Sequence, residues 1–379
     1  MGGENLTEEK KISRRKFLYL GIGAAIAVAA GATAAYYFGG REWQPPKKKV
    51  IALNVGAYGW PWRTQHMEDF KSEAEKMKKA GIIDGYVVRA SGPDIAAQAA
   101  DIRSLADMNI PVIIVNPNSP SGLNEAIKYA HDRGSIVIAT DQYVTSPYAI
   151  NVVINQEAWF ADEAKWVCEQ LNGEGNIVII NGYPGHPANE DRIRGAHRVL
   201  GNYPKINVLA EVPGWWNYDK AEEAFAPILA SFRGEIDGLL LQDSMIQGVL
   251  RAYDQAGIKP GDPDFPKVTT ADYRMDFLKN VWTKLRAAGV KVYQRLNPPG
   301  CSVSALKIAI RLLEGRELDY NNPKVDTKTH PGPTLWLPMP PAITNENLDY
   351  WINKYKDKPD DYQIDYWISD EEADSYFKS

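Results

Sequence analysis

Two cysteines among 379 residues, Cys168 and Cys301, are too few and too far apart for a zinc site or a disulfide framework, and they leave a single bridge open. Five histidines, His66, His131, His186, His197 and His330, fall at no metal-ligand spacing, so no metal or other cofactor is expected. A basic excess is missing as well. Lys and Arg number 43 against 48 Asp and Glu, and with residues 1–40 set aside the balance falls to −7, which makes nucleic acid an unfavoured partner. A phosphate loop is also absent: Gly182-x-x-Gly185 is interrupted by Pro184, followed by Pro187, and has no lysine in a nucleotide-loop position. Phenylalanine is scarce, with 9 residues beside 11 Trp and 20 Tyr. What the chain does have is a stock of polar-tipped aromatics, for which carbohydrate sites are one use.

The N-terminus carries Ser13-Arg14-Arg15-Lys16-Phe17-Leu18 followed by a charge-free run from Phe17 to Gly40. A basic region, an apolar region and the small residues Ala32-Thr33-Ala34 read as an export signal, with an arginine pair resembling a twin-arginine signal. A buried core helix is the alternative, and it fits poorly because the segment is terminal, basic-flanked and followed by the linker Gln44-Pro45-Pro46-Lys47-Lys48-Lys49. The 24 uncharged residues also suffice to cross about 30 Å of hydrocarbon at about 1.5 Å per residue. Residues 1–40 are therefore expected to act as signal or anchor and 41–47 as linker, placing the body in the periplasm or on the outer face of the membrane.

From Val50 onward, short apolar runs alternate with helical patterns: a strand at Val50–Val55, a helix opened by Pro61, then strands near Gly85–Val88, Pro111–Val115, Ser135–Ala139 and Val152–Ile154. A second series starts at Asn176–Ile180 and runs to a helix at Val303–Leu313. Such alternation calls for parallel sheets covered on both faces. About ten strands exceed what one open sheet comfortably holds, so a break near Val153–Gln156 predicts two doubly wound α/β lobes joined by a multi-strand hinge. The expected first lobe is 48–153 plus 297–322, and the second 154–296 plus 323–379, with returns near Leu296–Pro299 and Asp319–Pro323. Ligands of such sheets sit beyond the carboxyl ends of the strands.

At those strand ends the chain is similar to the periplasmic sugar-binding proteins of ABC importers, in the ribose-binding-like branch of the type I periplasmic binding fold. The similarity spans about Lys48–Leu318. It rests on Ile51-Ala52-Leu53, Ile114-Val115-Asn116-Pro117, Ile138-Ala139-Thr140-Asp141, Asn181-Gly182 with Arg192-x-x-Gly195, Gln242-Asp243-Ser244-Met245 with Arg251-Ala252, and Asp272. By this resemblance Asp141, Arg192 and Asp272 bond sugar hydroxyls, Gln242 stands where an asparagine usually precedes the aspartate, and Trp60 and Trp62 face Trp216 across the sugar ring. Three departures leave the sugar unnamed: Gln142 replaces an arginine, Arg63 an aromatic, and Asn297-Pro298 a late glutamine before proline.

Simpler roles stand beside these. Asp141 and Asp272 also fit helix N-caps, Arg192 a surface position, and each tryptophan packing within its own lobe. The function expected from the whole is that of a monomeric, non-enzymatic receptor that captures a monosaccharide or similar polar solute and delivers it to a membrane permease. A glycosidase using two carboxylates and a sugar sensor docking on a chemoreceptor are the alternatives. The tail from Tyr320 to Ser379 exceeds what the resemblance needs.

Overall fold

Buried apolar runs on both faces decide the architecture. In the computed structural model, which describes residues 46–56 and 61–378, strands β1 (Val50–Val55), β3 (Val112–Asn116) and β5 (Ala149–Val153) are buried along almost their whole length, as parallel strands between helical layers must be. The signal or anchor expected over 1–40, most of the 41–47 linker and Trp60 lie outside the described residues.

The first sheet has seven strands in the order β11-β12-β5-β4-β3-β1-β2, with β2 Gly85–Ala90, β4 Ile136–Thr140, β11 Val325–Asp326 and β12 Thr334–Trp336. Its helices are α1 (Pro61–Lys79), α2 (Ile95–Asp107) and α3 (Asn124–Asp132). The second sheet has six strands in the order β13-β10-β9-β8-β6-β7, namely β6 Glu174–Asn181, β7 Lys205–Pro213, β8 Gly238–Leu241, β9 Val268–Thr270, β10 Lys291–Arg295 and β13 Ala342–Thr344. Helices α4 (Gln156–Gln170), α5 (Pro187–Leu200), α6 (Tyr218–Ser231) and α7 (Ile246–Gln255) cover it. The short helices α8 (Met275–Phe277) and α9 (Thr283–Ala287) flank a π-helical turn, and α10 (Cys301–Leu313) returns to the first lobe. Each sheet is closed off by an antiparallel addition, β11 on β12 and β13 on β10.

The two-lobed α/β expectation holds, and the crossings refine it. The first passes from β5 into α4, which Asn155 caps by accepting from the Ala158 amide at 2.9 Å, so this residue is a cap. The second runs from β10 to α10 near Leu296–Pro299, as expected. The third differs from expectation: β11 and β12 still pair in the first sheet, so the chain leaves that lobe at 337–341, later than Asp319–Pro323. The tail then makes a fourth passage. Helix α11 (Leu348–Lys354) joins the second lobe's core through Leu348 and Trp351, and Ile364 is buried there too. The Ile368 amide already bonds Ser304 Oγ of α10 at 3.2 Å, and α12 (Asp370–Asp374) is tied to the same helix by Arg311–Asp374 at 3.0 Å. The extension assigned wholly to the second lobe is therefore shared between the two.

Hydrogen bonds lace the four spans together. Leu337 N donates to Val153 O, Trp159 Nε1 to Leu296 O and Leu296 N to Pro341 O, at 2.9, 2.9 and 3.0 Å. Gly300 N donates to Asp365 Oδ1 at 2.8 Å. Glycine is required at position 300 because a Cβ there would meet the Trp367 ring at 2.4 Å. Both cysteines are buried and unpaired, Cys168 in α4 and Cys301 at the start of α10.

Candidate ligand-binding cleft

The strand-to-helix junctions of both sheets converge on a cavity of about 460 Å³. From the first lobe, Pro61 starts α1 and so places Trp62 and Arg63 in its first turn. Trp62 Nε1 donates to the hinge carbonyl of Asn297 at 2.8 Å, which fixes the indole. Arg63 Nη1 lies 3.4 Å from Asp141 Oδ2, and Asn116 Nδ2 donates to the same oxygen at 3.1 Å. Burial lowers the Arg63 pKa, with Asp141 opposing. Beneath this wall His66 donates through Nδ1 to the Pro299 carbonyl at 2.8 Å. Burial, then the Arg63 charge, lowers its pKa to about 4, so the ring is neutral. Cys301 Sγ sits 3.5 Å from that ring, but burial pushes the thiol well up, so the two do not form a thiolate–imidazolium pair.

The second lobe supplies the matching half. Arg192, 1% exposed on α5, stacks its guanidinium 4.1 Å from the Trp159 ring centre. It donates to Gln156 Oε1 at 2.8 Å and to Asp243 Oδ2 at 3.0 Å. Asn297 Nδ2 donates to that same Asp243 oxygen at 3.0 Å, and Tyr273 OH to Asn297 O at 3.1 Å, so one hinge residue is tied to Trp62 on one side and to Asp243 and Tyr273 on the other. The turn after β7 carries Trp215 and Trp216 with φ of 60° and 49°. Trp216 occupies the space over Gly182, where a Cβ would lie 2.1 Å from its Cε2. His186 meets Trp216 edge-on at 4.9 Å, and burial lowers its pKa to about 4. Arg274 is clamped by Asp276 at 3.1 and 2.6 Å. From the tail comes Gln363, 5% exposed, its backbone held by Gln65 at 2.8 Å.

Five wall residues carry a buried polar atom that has no hydrogen-bond partner in the protein: Arg63 Nη1, Trp216 Nε1, His186 Nδ1, Asp243 Oδ1 and Gln363 Oε1. Donors and acceptors are mixed among them, as hydroxyls that both donate and accept require. The charges in the wall are matched in pairs: Arg63 with Asp141, Arg192 with Asp243, Arg274 with Asp276 and Lys220 with Glu223.

The periplasmic binding protein domain matches residues 51–317. The chain belongs to that family. A xylitol-binding protein of Mycolicibacterium smegmatis is 30% identical over 285 residues, covering 74% of each chain. The ribose import binding protein of Escherichia coli is 25% identical over 214 residues, covering 55% of this chain and 69% of its own. Among solved structures, an ABC transporter solute-binding protein from Thermobispora bispora superposes with a TM-score of 0.71 at 25% identity, over 86% of this chain and 94% of that one. The two-lobed body is thus the type I periplasmic binding fold, and the relatives are binding proteins.

Of the residues singled out in this binding protein's sequence, Trp62, Asp141, Arg192 and Trp216 line the cleft. Gln242 and Asp272 do not. Gln242 is fully buried and donates to Asn181 Oδ1 at 3.0 Å. Asp272, also fully buried, accepts from Arg274 N at 3.0 Å and Tyr218 OH at 3.4 Å. It therefore supports two wall residues from behind, and burial raises its pKa to about 6. Asp243, next to Gln242, takes the place expected of it; its φ of 65° turns the chain so that the following residue faces the cavity. Arg63, His186 and Gln363 were not anticipated, and for Gln363 no sequence signal existed, since it lies beyond the family match.

Proposed function

We propose that the protein is the extracytoplasmic receptor of an ABC importer that captures a neutral polyhydroxylated solute, a sugar or an alditol, between its lobes and hands it to a membrane permease. The observation that carries this reading is the electrically matched wall. Each guanidinium already has its carboxylate, so a sugar phosphate or sugar acid would bring an unpaired charge into a dry cleft, whereas hydroxyls can use the five unpartnered atoms. Trp62 and Trp216 supply flat apolar faces for ring C–H groups. Asp141, Arg63, Arg192, Asp243 and Gln363 are the polar contacts we assign. The xylitol-, ribose- and galactofuranose-binding names of relatives support the solute class.

No reaction is assigned to the cleft. The glycosidase alternative needs a carboxylic acid poised to protonate a leaving group, and the carboxyl whose pKa burial raises to about 6, Asp272, is outside the cavity wall. Residues 1–40 would carry the protein across the membrane and hold it there as a monomer; among the described residues no helix is long and apolar enough to cross a membrane. A melting-temperature screen against pentoses, hexoses, alditols, sugar phosphates and uronic acids tests the solute class. At one hundred times Kd a ligand stabilises by about 2.7 kcal/mol. Shifts confined to the charged compounds overturn the reading.

A further inference from the structure

The cleft does not end at Trp216. Consecutive bulky residues in the left-handed region are unfavourable and persist only where surrounding structure enforces them, commonly at binding sites. Here the effect is to separate two adjacent indoles. Trp216 is packed over Gly182 beside Arg192, with the guanidinium 5.7 Å from its ring centre. Trp215 emerges at the cavity mouth 42% exposed, its ring meeting Tyr183, itself 46% exposed, edge to face at 4.7 Å and 84°. Large apolar side chains are exposed elsewhere among the described residues, for instance Met108 and Tyr350, but of these exposed side chains only Trp215 and Tyr183 belong to the cavity wall.

Size points the same way. If each of the twelve non-hydrogen atoms of a hexose were allowed the ~30 Å³ that a water takes in the liquid, the sugar would still fill no more than about 360 Å³. The cavity is about 460 Å³, more than one hexose needs, and the exposed aromatic pair is part of its wall. Exposed aromatic faces with polar tips suit the C–H face of a second ring, because they stack without demanding a specific hydroxyl pattern.

We propose that Trp215 and Tyr183 form an outer subsite for a second ring, so that the preferred solute is a glycoside, a disaccharide or a sugar bearing an aglycone, with its terminal neutral sugar in the inner cavity. This rests on the inner cleft being a sugar site. The test is calorimetry on the full chain with matched pairs: xylose and xylobiose, glucose and cellobiose, glucose and maltose, galactose and lactose. At least one disaccharide is expected to bind ten-fold or more tightly than its monosaccharide, and Trp215→Ala should bring that ratio below about two. Trp215→Gly, which adopts φ of 60° without strain, is the second variant should the alanine form fold poorly. Monosaccharide or alditol binding with no tighter disaccharide overturns the outer subsite alone, as does a ratio that survives both variants. Binding by neither class overturns the sugar reading together with it.

Discussion

Asp141 and Asp243 leave their strands in the same left-handed conformation, with φ of 67° and 65°, and each pairs with an arginine from a helix of its own lobe, at 3.4 Å to Arg63 and 3.0 Å to Arg192. The two halves of the cleft thus repeat one device on opposite walls. A non-glycine residue in this region costs roughly 1–2 kcal/mol, and the ion pair with its hydrogen bonds offsets that cost.

Removing either carboxylate should therefore be felt twice. Asp243→Ala leaves Arg192, 1% exposed, without its counter-charge and should destabilise the fold by about 3–5 kcal/mol. Asp141→Asn keeps the shape and should weaken solute binding by about 1.5–3 kcal/mol, one to two decades. Asp254→Ala is the control, since that side chain is exposed and its ion pair among the described residues is with Lys259 at 3.1 Å. Urea unfolding and calorimetry of the three variants check this, and an Asp254 effect as large as the others would refute the placement of the cleft.

Asp272 makes stability depend on acidity. Its folded pKa, raised by burial from 3.8 to about 6, exceeds that of the unfolded chain. Below about pH 4 both states hold the proton and nothing is lost; as the pH rises toward 6 the unfolded state ionises first and stability falls. Asp272→Asn should accordingly gain up to about 3 kcal/mol at pH 7, with the gain vanishing near pH 4. Denaturant titrations at the two pH values measure it; an equal gain at both would exclude the carboxyl as its source.

Gly182 exists to admit an indole. A methyl group there would lie 2.1 Å from Trp216 Cε2, so Gly182→Ala should cost about 1–3 kcal/mol through overpacking and lower solute affinity at least ten-fold by displacing the ring. Adding Trp216→Ala should restore the stability but not the affinity. A double-mutant cycle reads the coupling directly, and additive effects on stability would show that the two positions do not press on one another.

Export should follow the arginine pair. Arg14→Lys with Arg15→Lys is expected to leave the precursor inside the cell, read by fractionation and immunoblot, while export unchanged by the substitution would assign the protein to general secretion.

Much of this was legible in the residues because burial writes itself into strands. Two lobes, the crossing at Val153–Gln156 and the return at Leu296–Pro299 follow from continuous apolar runs. The third crossing was not legible, since β11 and β12 have two and three residues and no apolar period. At the site, Trp62, Asp141 and Trp216 could be named because they fall in strand-to-helix junctions, and Arg192, on α5 well past the end of β6, through the family resemblance. Gln242 and Asp272 fall in such junctions too, yet they are buried behind the cavity wall, and no spacing rule distinguishes a residue that lines a wall from one that braces it. Arg63 read as a departure from an expected aromatic when it is the partner of Asp141.

Four spans where the lobes meet change the mechanics of the molecule. Stitched side by side by the bonds from Leu337, Leu296, Trp159 and Gly300, they are expected to favour a hinge bend over a twist of one lobe on the other. The tail is one of these ties, and it also puts Gln363 into the wall. The segment that ties the lobes thus also carries Gln363 into the cleft: a solute seated against it, as we propose, would tension the strap, and loosening the strap would withdraw that contact.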